Sequence, residues 1–363
     1  METGKETELQ RLWSLLKKNR LAFSGLVILC IFFIIATAGL ILTSGKDPVF
    51  DPSIVRLQDK LRPPFSKVSK DVISRNQWPP FGIYIFGTDD LGRDVFSRML
   101  QGAWVSLSVG FVAVGISVII GIIIGGVSGY YGRYMIRLNQ IIVGVFMLMI
   151  MIFLIYGSII LASLFFAGLV MVIWLSKRYQ YPILIKEMVS LDSIIMRFVD
   201  IMLCFPSFFL ILTVVALLPS SIYNIMVVIG LTSWMGTARF VRAEFLSLRE
   251  QDFVFAAKAL GIKDWRIIFR HMLPNAIAPV MVSATIGIAS AILTEAGLSF
   301  LGFGVPPPFA TWGNILSDGK RYIFDAPWLT FIPGVAILVV VLAFNLFGEG
   351  LRDVINPRLR ESV

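Results

Sequence analysis

The sequence is poor in charge, cysteine and histidine. Of its 363 residues only 15% are Asp, Glu, Lys or Arg while 57% are hydrophobic, and the mean hydropathy is +0.82. Soluble domains carry about 25% charged residues, so this composition excludes a chain built only of them. The two cysteines, Cys30 and Cys204, both lie in uncharged apolar stretches, which leaves no disulfide framework and no Cys/His cluster spaced for zinc. With the single histidine, His271, a histidine-based catalyst has almost no material. The 32 basic residues outnumber the 23 acidic ones and give a net charge of +9, but they are scattered between apolar runs, which speaks against nucleic acid as a partner.

What the sequence has is long apolar runs. A helix crossing a bilayer needs about 20 apolar residues, because every backbone polar group must be paired within it. Residues 21 to 43 form such a run. The uncharged stretch 99 to 132 predicts a helix near 103 to 128, bounded by Gly102 and the Gly-Tyr-Tyr-Gly at 129 to 132. The 39 uncharged positions from 138 to 176 fit two short spans turning near Gly157 and Ser158. Pro219-Ser220-Ser221 divides 201 to 238 into helices near 197 to 218 and 222 to 238, and runs at 275 to 300 and 326 to 348 follow. The fold class is therefore all-α, a polytopic bundle of about eight spans.

Basic residues orient it. With the N-terminus inside, the inner segments carry 21 of the 32 Lys and Arg, and the long outer segments, 44 to 98 and 302 to 327, carry 11. The short inner segments are the denser ones, so both termini are placed in the cytoplasm. Ala36-Thr37-Ala38 has the look of a signal-peptide cleavage site, but the apolar run continues through Leu40, Ile41 and Leu42, which favours a retained anchor. Within residues 1 to 20, Leu9, Leu12, Trp13 and Leu16 recur at helical spacing beside Arg11, Lys17 and Lys18, which predicts a helix lying on the inner membrane surface.

The most polar helical stretch is the inner segment 249 to 274. It reads as two helices, one from Asp252, as N-cap, to Leu260, ended by Gly261, and a second between Asp264 and Pro274. Ala256 and Ala257 allow close approach of a partner, and Phe253 and Leu260 are suited to anchor in a groove. An amphipathic connector resting on lipid headgroups is the plainer alternative.

Ala256-Ala257, Gly261 and Leu273-Pro274, at their spacing, resemble the "EAA" loop of permease subunits of ABC importers. Phe255 stands where that motif has its first Glu, and His271 where it has an apolar residue. Phe86 to Arg98, Asp200 to Ser207, Leu231 to Trp234, Arg242-Ala-Glu244, Glu295 to Gly302, Trp312-Gly-Asn314 and Phe344 to Asp353 are similar to segments of the dipeptide and oligopeptide permease C subunits. The likeness covers most of the chain except about 138 to 190 and part of the outer loop 44 to 80. It implies a type I importer permease of six spans, within a core from 99 to 351, to which the hairpin at 138 to 176 is added, and a cytoplasmic tail from 352 to 363. It further implies a sister permease forming a heterodimer, two ATP-binding subunits and an extracytoplasmic solute-binding protein as partners. By that likeness Asp252, Phe253, Phe255, Ala256, Ala257, Lys258, Leu260 and Gly261 form the surface that docks the ATPase.

No G-x-x-x-x-G-K-[ST] loop exists in the sequence; the nearest, Gly319-Lys320-Arg321, lacks the first glycine and the Ser or Thr. Together with the resemblance, this implies that the chain is no enzyme, binds no cofactor or metal itself, and relies on ATP and Mg handled by partner subunits in a prokaryotic inner membrane. Glu295, an ionisable group in an apolar run, is a candidate for the translocation pathway, although its distance from Asn275 places it near the outer interface, where water would reach it. Pro206 is the second pathway candidate, as a kink in its span. Asp200 with Arg197, and Asp94 with Arg98, are spaced as helix-surface ion pairs. An ion-coupled secondary carrier would want acids or broken helices near the midplane, and an intramembrane hydrolase would want paired catalytic groups there. Neither demand is met well, and the substrate is not legible beyond the peptides the resemblance implies.

Overall fold

The computed structural model describes residues 8–69, 78–179 and 187–355. Residues 1–7 of the expected surface helix and 356–363 of the expected tail lie outside them. The chain forms two compact units: Met1–Ile122 with Phe205–Ala238 and Leu273–Val363, and Ile123–Cys204 with Arg239–Met272. Among the described residues, seven helices are long and apolar enough to cross a membrane, or eight if a pair broken near residue 205 counts as one span.

In chain order the helices are α1 (Glu8–Lys18), α2 (Arg20–Thr43), α3 (Val95–Tyr130), α4 (Leu138–Ile155), α5 (Ile159–Tyr179), α6 (Leu191–Cys204), α7 (Ser207–Leu217), α8 (Ile222–Arg249), α9 (Asp252–Ala259), α10 (Leu273–Phe300), α11 (Trp312–Gly319) and α12 (Trp328–Ile355). The described residues also form short strands: β1 (Ser66–Lys67) paired antiparallel with β2 (Ile83–Tyr84), and β3 (Met135–Arg137) paired antiparallel with β4 (Glu187–Ser190).

In the first unit, α2 starts at Asn19, whose side-chain oxygen accepts from the Ala22 amide at 3.1 Å and so satisfies one of the orphan donors of a helix start. It lies against α12 so closely that a Cβ added at Gly350 would fall 2.0 Å from the Ala22 Cβ, the small-residue contact typical of helices that associate in lipid. On α1, Leu16 is buried with Ala22 and Val354 while Trp13 is exposed, with the Lys17 ammonium 5.1 Å from its ring. The Leu9 and Leu12 side chains lie outside those described. The core of this unit gathers residues of α2, α3, α10 and α12 around Trp312, Ile292 and Leu329.

Three helix boundaries depart from the sequence reading. Residues 95 to 102, expected to precede the span, are the first turns of α3, because their polar side chains are buried among outer-loop partners instead of facing water. α8 runs on past residue 238 to Arg249, carrying its last turns beyond the apolar run. The span expected over 197 to 218 is two helices: α6 stops at Cys204, and Pro206, in the N-cap position of α7, lacks the N–H a continuous helix would need.

In the second unit, α4 and α5 form a hairpin. The chain reverses at Gly157, whose φ of +72° is a left-handed conformation, and the Ser158 amide donates back to the Phe153 carbonyl at 2.9 Å. Phe165 packs on Phe146 and Phe153 with ring centroids 5.7 and 5.3 Å away, and the Asn139 amide donates to the Ser176 hydroxyl at 2.9 Å. No described residue of α4 is buried, as expected of a helix whose surroundings are lipid. At the base, Met135 pairs with Ser190, and the Leu191 amide donates to the Tyr134 carbonyl at 2.9 Å. This ladder closes the hairpin on itself, so the end of α3 and the start of α6 stay adjacent: Ser128 donates to Asp192 at 2.5 Å.

Candidate functional site

The loop between α8 and α10 is built around α9. Gln251, not Asp252, occupies the N-cap position, and it caps with no side-chain bond. Asp252 is instead the first helical residue, where a carboxylate favours the positive end of the helix dipole. At the other end the amides of Leu260, Gly261 and Ile262 donate to the carbonyls of Ala256, Lys258 and Ala257 at 3.0, 2.9 and 3.1 Å. Gly261 takes φ +69°, which an L side chain adopts only at a cost.

The helix has two faces. Val254 and Ala257 are buried, so Ala257, expected on the docking surface, is turned away from it. Ala256 is exposed, as are Phe253, Phe255 (52%) and Leu260 (80%). After Gly261 the chain makes a helical turn, Asp264–Arg266, and passes through a π-helical stretch, Ile267–Met272, into α10. Trp265 and Phe269 on this stretch are exposed too and were not singled out by sequence, since one turn and a π-bulge carry no steady period. Apolar side chains of this size, left uncovered on the most polar loop of the chain, are the kind of surface a groove in another protein accepts.

A second feature lies among the spans of the first unit. A cavity of about 230 Å³ is lined by residues of α3, α8 and α10, among them Ser117, Ser233, Thr237, Ser283 and Ser290. No charged side chain lines it. The signal was present in the sequence as Ser233 with Thr237, and Ser283, Gly287 and Ser290, small or hydroxylated residues three or four apart on one helix face.

The two pathway candidates from sequence are elsewhere. Glu295 is fully buried, so the expectation that water reaches it at the outer interface is wrong. The loop from 302 to 327 does not simply lie outside: α11 is laid on α10, and a Cβ at Gly313 would come 2.7 Å from the Ala296 Cα. Glu295 accepts from the Ser299 hydroxyl at 2.7 Å. It does not line the hydroxyl-bearing cavity. Pro206 is exposed and starts α7 where a kink within one continuous helix was expected.

The outer loop holds an ionic cluster. Asp89 is bonded to Arg98 and, at 2.7 Å, to Arg93; both guanidiniums also reach Asp318, at 3.0 and 3.3 Å. Arg98 thus pairs with Asp89 and Asp318 and not with Asp94, which instead accepts from Ser97. Burial pushes the Asp94 carboxyl above its ordinary value despite those bonds. At Asp59 burial acts the same way, but the Ser69 hydroxyl at 2.5 Å, the Ser69 amide at 3.1 Å and the Tyr84 hydroxyl at 2.9 Å together hold it below the usual carboxylate range. Asp200 likewise pairs across the fold, with Arg239 of α8, and not with Arg197 on its own helix.

A family model described as "Binding-protein-dependent transport system inner membrane component" matches residues 185–361. The dipeptide transport system permease protein DppC of Alkalihalophilus pseudofirmus is 36% identical over 345 residues, covering 95% of this chain and 88% of that protein. The oligopeptide transport system permease protein OppC of Bacillus subtilis is 30% identical over the same shares of both chains. The DppC of Haemophilus influenzae is 33% identical over 98% of this chain and 97% of its own length.

Proposed function

Because the chain belongs to the inner-membrane components of binding-protein-dependent transport systems, a multi-pass permease family, we propose that it is the peptide permease subunit of an ATP-driven importer. Its substrates are di- or oligopeptides, the class named in its relatives. It works in a prokaryotic plasma membrane beside a sister permease, with two ATP-binding subunits on the inside and a solute-binding protein outside. ATP and Mg belong to the ATP-binding subunits, and this chain moves solute without chemistry of its own.

The observation that carries this reading is α9: a short helix, fixed inward by Val254 and Ala257, that leaves Phe253, Phe255 and Leu260 uncovered on the inner side. Asp252, Ala256, Lys258 and Gly261 complete that docking surface. ATP-driven closure of the partner subunits moves the loop, and the spans joined to it re-open the path. The cavity bearing Ser117, Ser233, Thr237, Ser283 and Ser290 is the part of the path this chain supplies. Its uncharged hydroxyls can exchange hydrogen bonds with peptide amides of any sequence, which fits a permissive route with selectivity residing in the binding protein.

The test is purification of the tagged chain from its native membrane in mild detergent, followed by reconstitution of whatever accompanies it. Peptide uptake that requires ATP and a co-purified ATPase is the expected result. A solitary chain that moves solute on a proton gradient would overturn the reading.

A further inference from the structure

The same unit holds a set of contacts that, Lys258 apart, the docking surface does not use. Three points of the loop grip one four-residue stretch, Gly129-Tyr130-Tyr131-Gly132, at the inner end of α3. At the loop's start, Arg249 donates through one guanidinium nitrogen to the carbonyls of Gly129 and Tyr130, at 3.2 and 3.3 Å. These are last-turn carbonyls, which a helix leaves without partners of its own. In the middle, the Lys258 ammonium sits 5.0 Å from the centre of the Tyr130 ring. Past Gly261, the carboxylate of Asp264 accepts from the Tyr130 hydroxyl at 2.7 Å and from the Tyr131 hydroxyl at 3.2 Å, one oxygen for each. The two tyrosine rings meet edge to face at 4.9 Å. Beneath them the helices touch: a Cβ at Gly129 would come 2.5 Å from the Phe245 Cβ.

We propose that Tyr130, Tyr131 and Asp264 form a clasp through which the docking loop moves α3 as well as the two spans to which it is joined in sequence. The inference rests on the function proposed above and deepens it. The loop is covalently continuous with α8 and α10 but not with α3, and α3 contributes Ser117 to the cavity wall. Without the clasp, the loop would hold α3 only through Arg249 and Lys258, and the part of it beyond Gly261 would have no grip on that helix. With it, both ends of the loop and its middle hold the same turn of α3, so that a displacement is passed to α3, α8 and α10 alike. The three residues act through α3 and touch no substrate, so they are positioning residues.

The test uses the complete transporter in proteoliposomes and measures ATP hydrolysed per peptide imported. The paired substitution Tyr130→Phe with Tyr131→Phe removes only two hydroxyl oxygens; Asp264→Ala removes their acceptor. Each removes both hydrogen bonds and is expected to raise the ATP-to-peptide ratio by about tenfold, roughly threefold for each bond lost. The triple variant should be no worse than either, because both remove the same bonds. A ratio that stays at the wild-type value while both rates fall together would overturn the clasp, since loss of folded protein alone does that. Additive effects, or a Tyr-to-Phe transporter that fails to assemble, would overturn it as well. Failure of the functional reading is separate: there the wild-type complex itself would show no ATP-driven uptake.

Discussion

The outer cluster around Asp89 and the inner loop around Gly261 treat their side chains in opposite ways. Outside, Asp89 is buried and every arginine that faces it is engaged a second time by Asp318, so the polar groups close on one another. Inside, the polar groups are spent on fixing the loop from behind, and the apolar side chains of Phe255 and Leu260 face outward. A network of charges paired in this way specifies one arrangement. An uncovered apolar face on a loop anchored at its back is the opposite, a surface incomplete by itself.

Removing one member of the closed network is expected to have the largest effect. Asp89→Ala leaves Arg98, whose side chain is 4% exposed, with a buried charge deprived of its main partner, at a cost of ~3–5 kcal/mol. Asp200→Ala, which breaks a pair exposed on both sides, should cost less than ~1 kcal/mol. Thermal unfolding of the two variants in detergent should separate them clearly, and equal losses would mean that the outer network is not closed. On the inner side Gly261→Val forces a branched residue into the left-handed region, at about 1–2 kcal/mol, and should reduce ATP-driven uptake more than stability alone would.

Acid should distinguish the regions next. Asp59 is held below the ordinary carboxylate range, so its contribution is present at pH values above its unfolded value and is lost as pH falls through the folded one. Limited proteolysis should find the outer loop equally protected between neutral pH and the ordinary carboxylate range, and opened only below it. Loosening already near neutral pH would contradict that sign. The smallest effect on stability belongs to Phe255→Ser and Leu260→Ser, within ~0.5 kcal/mol because both side chains are exposed. These two should nonetheless release the ATP-binding subunits on purification.

How much of this was legible follows from the range of the interactions. Lipid imposes its demand residue by residue, so the spans, the reversal at Gly157 and the helix stop at Gly261 could be read locally. Pairings between distant residues could not. Local spacing offered Arg197 for Asp200 and Asp94 for Arg98, whereas the fold supplies Arg239, Asp89 and Asp318. Glu295 was placed in water because nothing in the 302 to 327 segment announces that α11 lies on α10. The face of α9 was half legible: Phe255 and Leu260 face out, but which of two neighbouring alanines does so depends on where the helix is fixed from behind. The clasp joins residues more than a hundred positions apart, so no periodicity could report it.

The most direct test of the central claim is to place a photo-crosslinking amino acid at Leu260 of the full chain in its native membrane and to identify what it captures on illumination. The account predicts an adduct with an ATP-binding subunit, whose yield changes when the nucleotide state is trapped. Adducts with lipid alone, insensitive to nucleotide, would contradict it and leave the loop as a helix resting on the membrane surface.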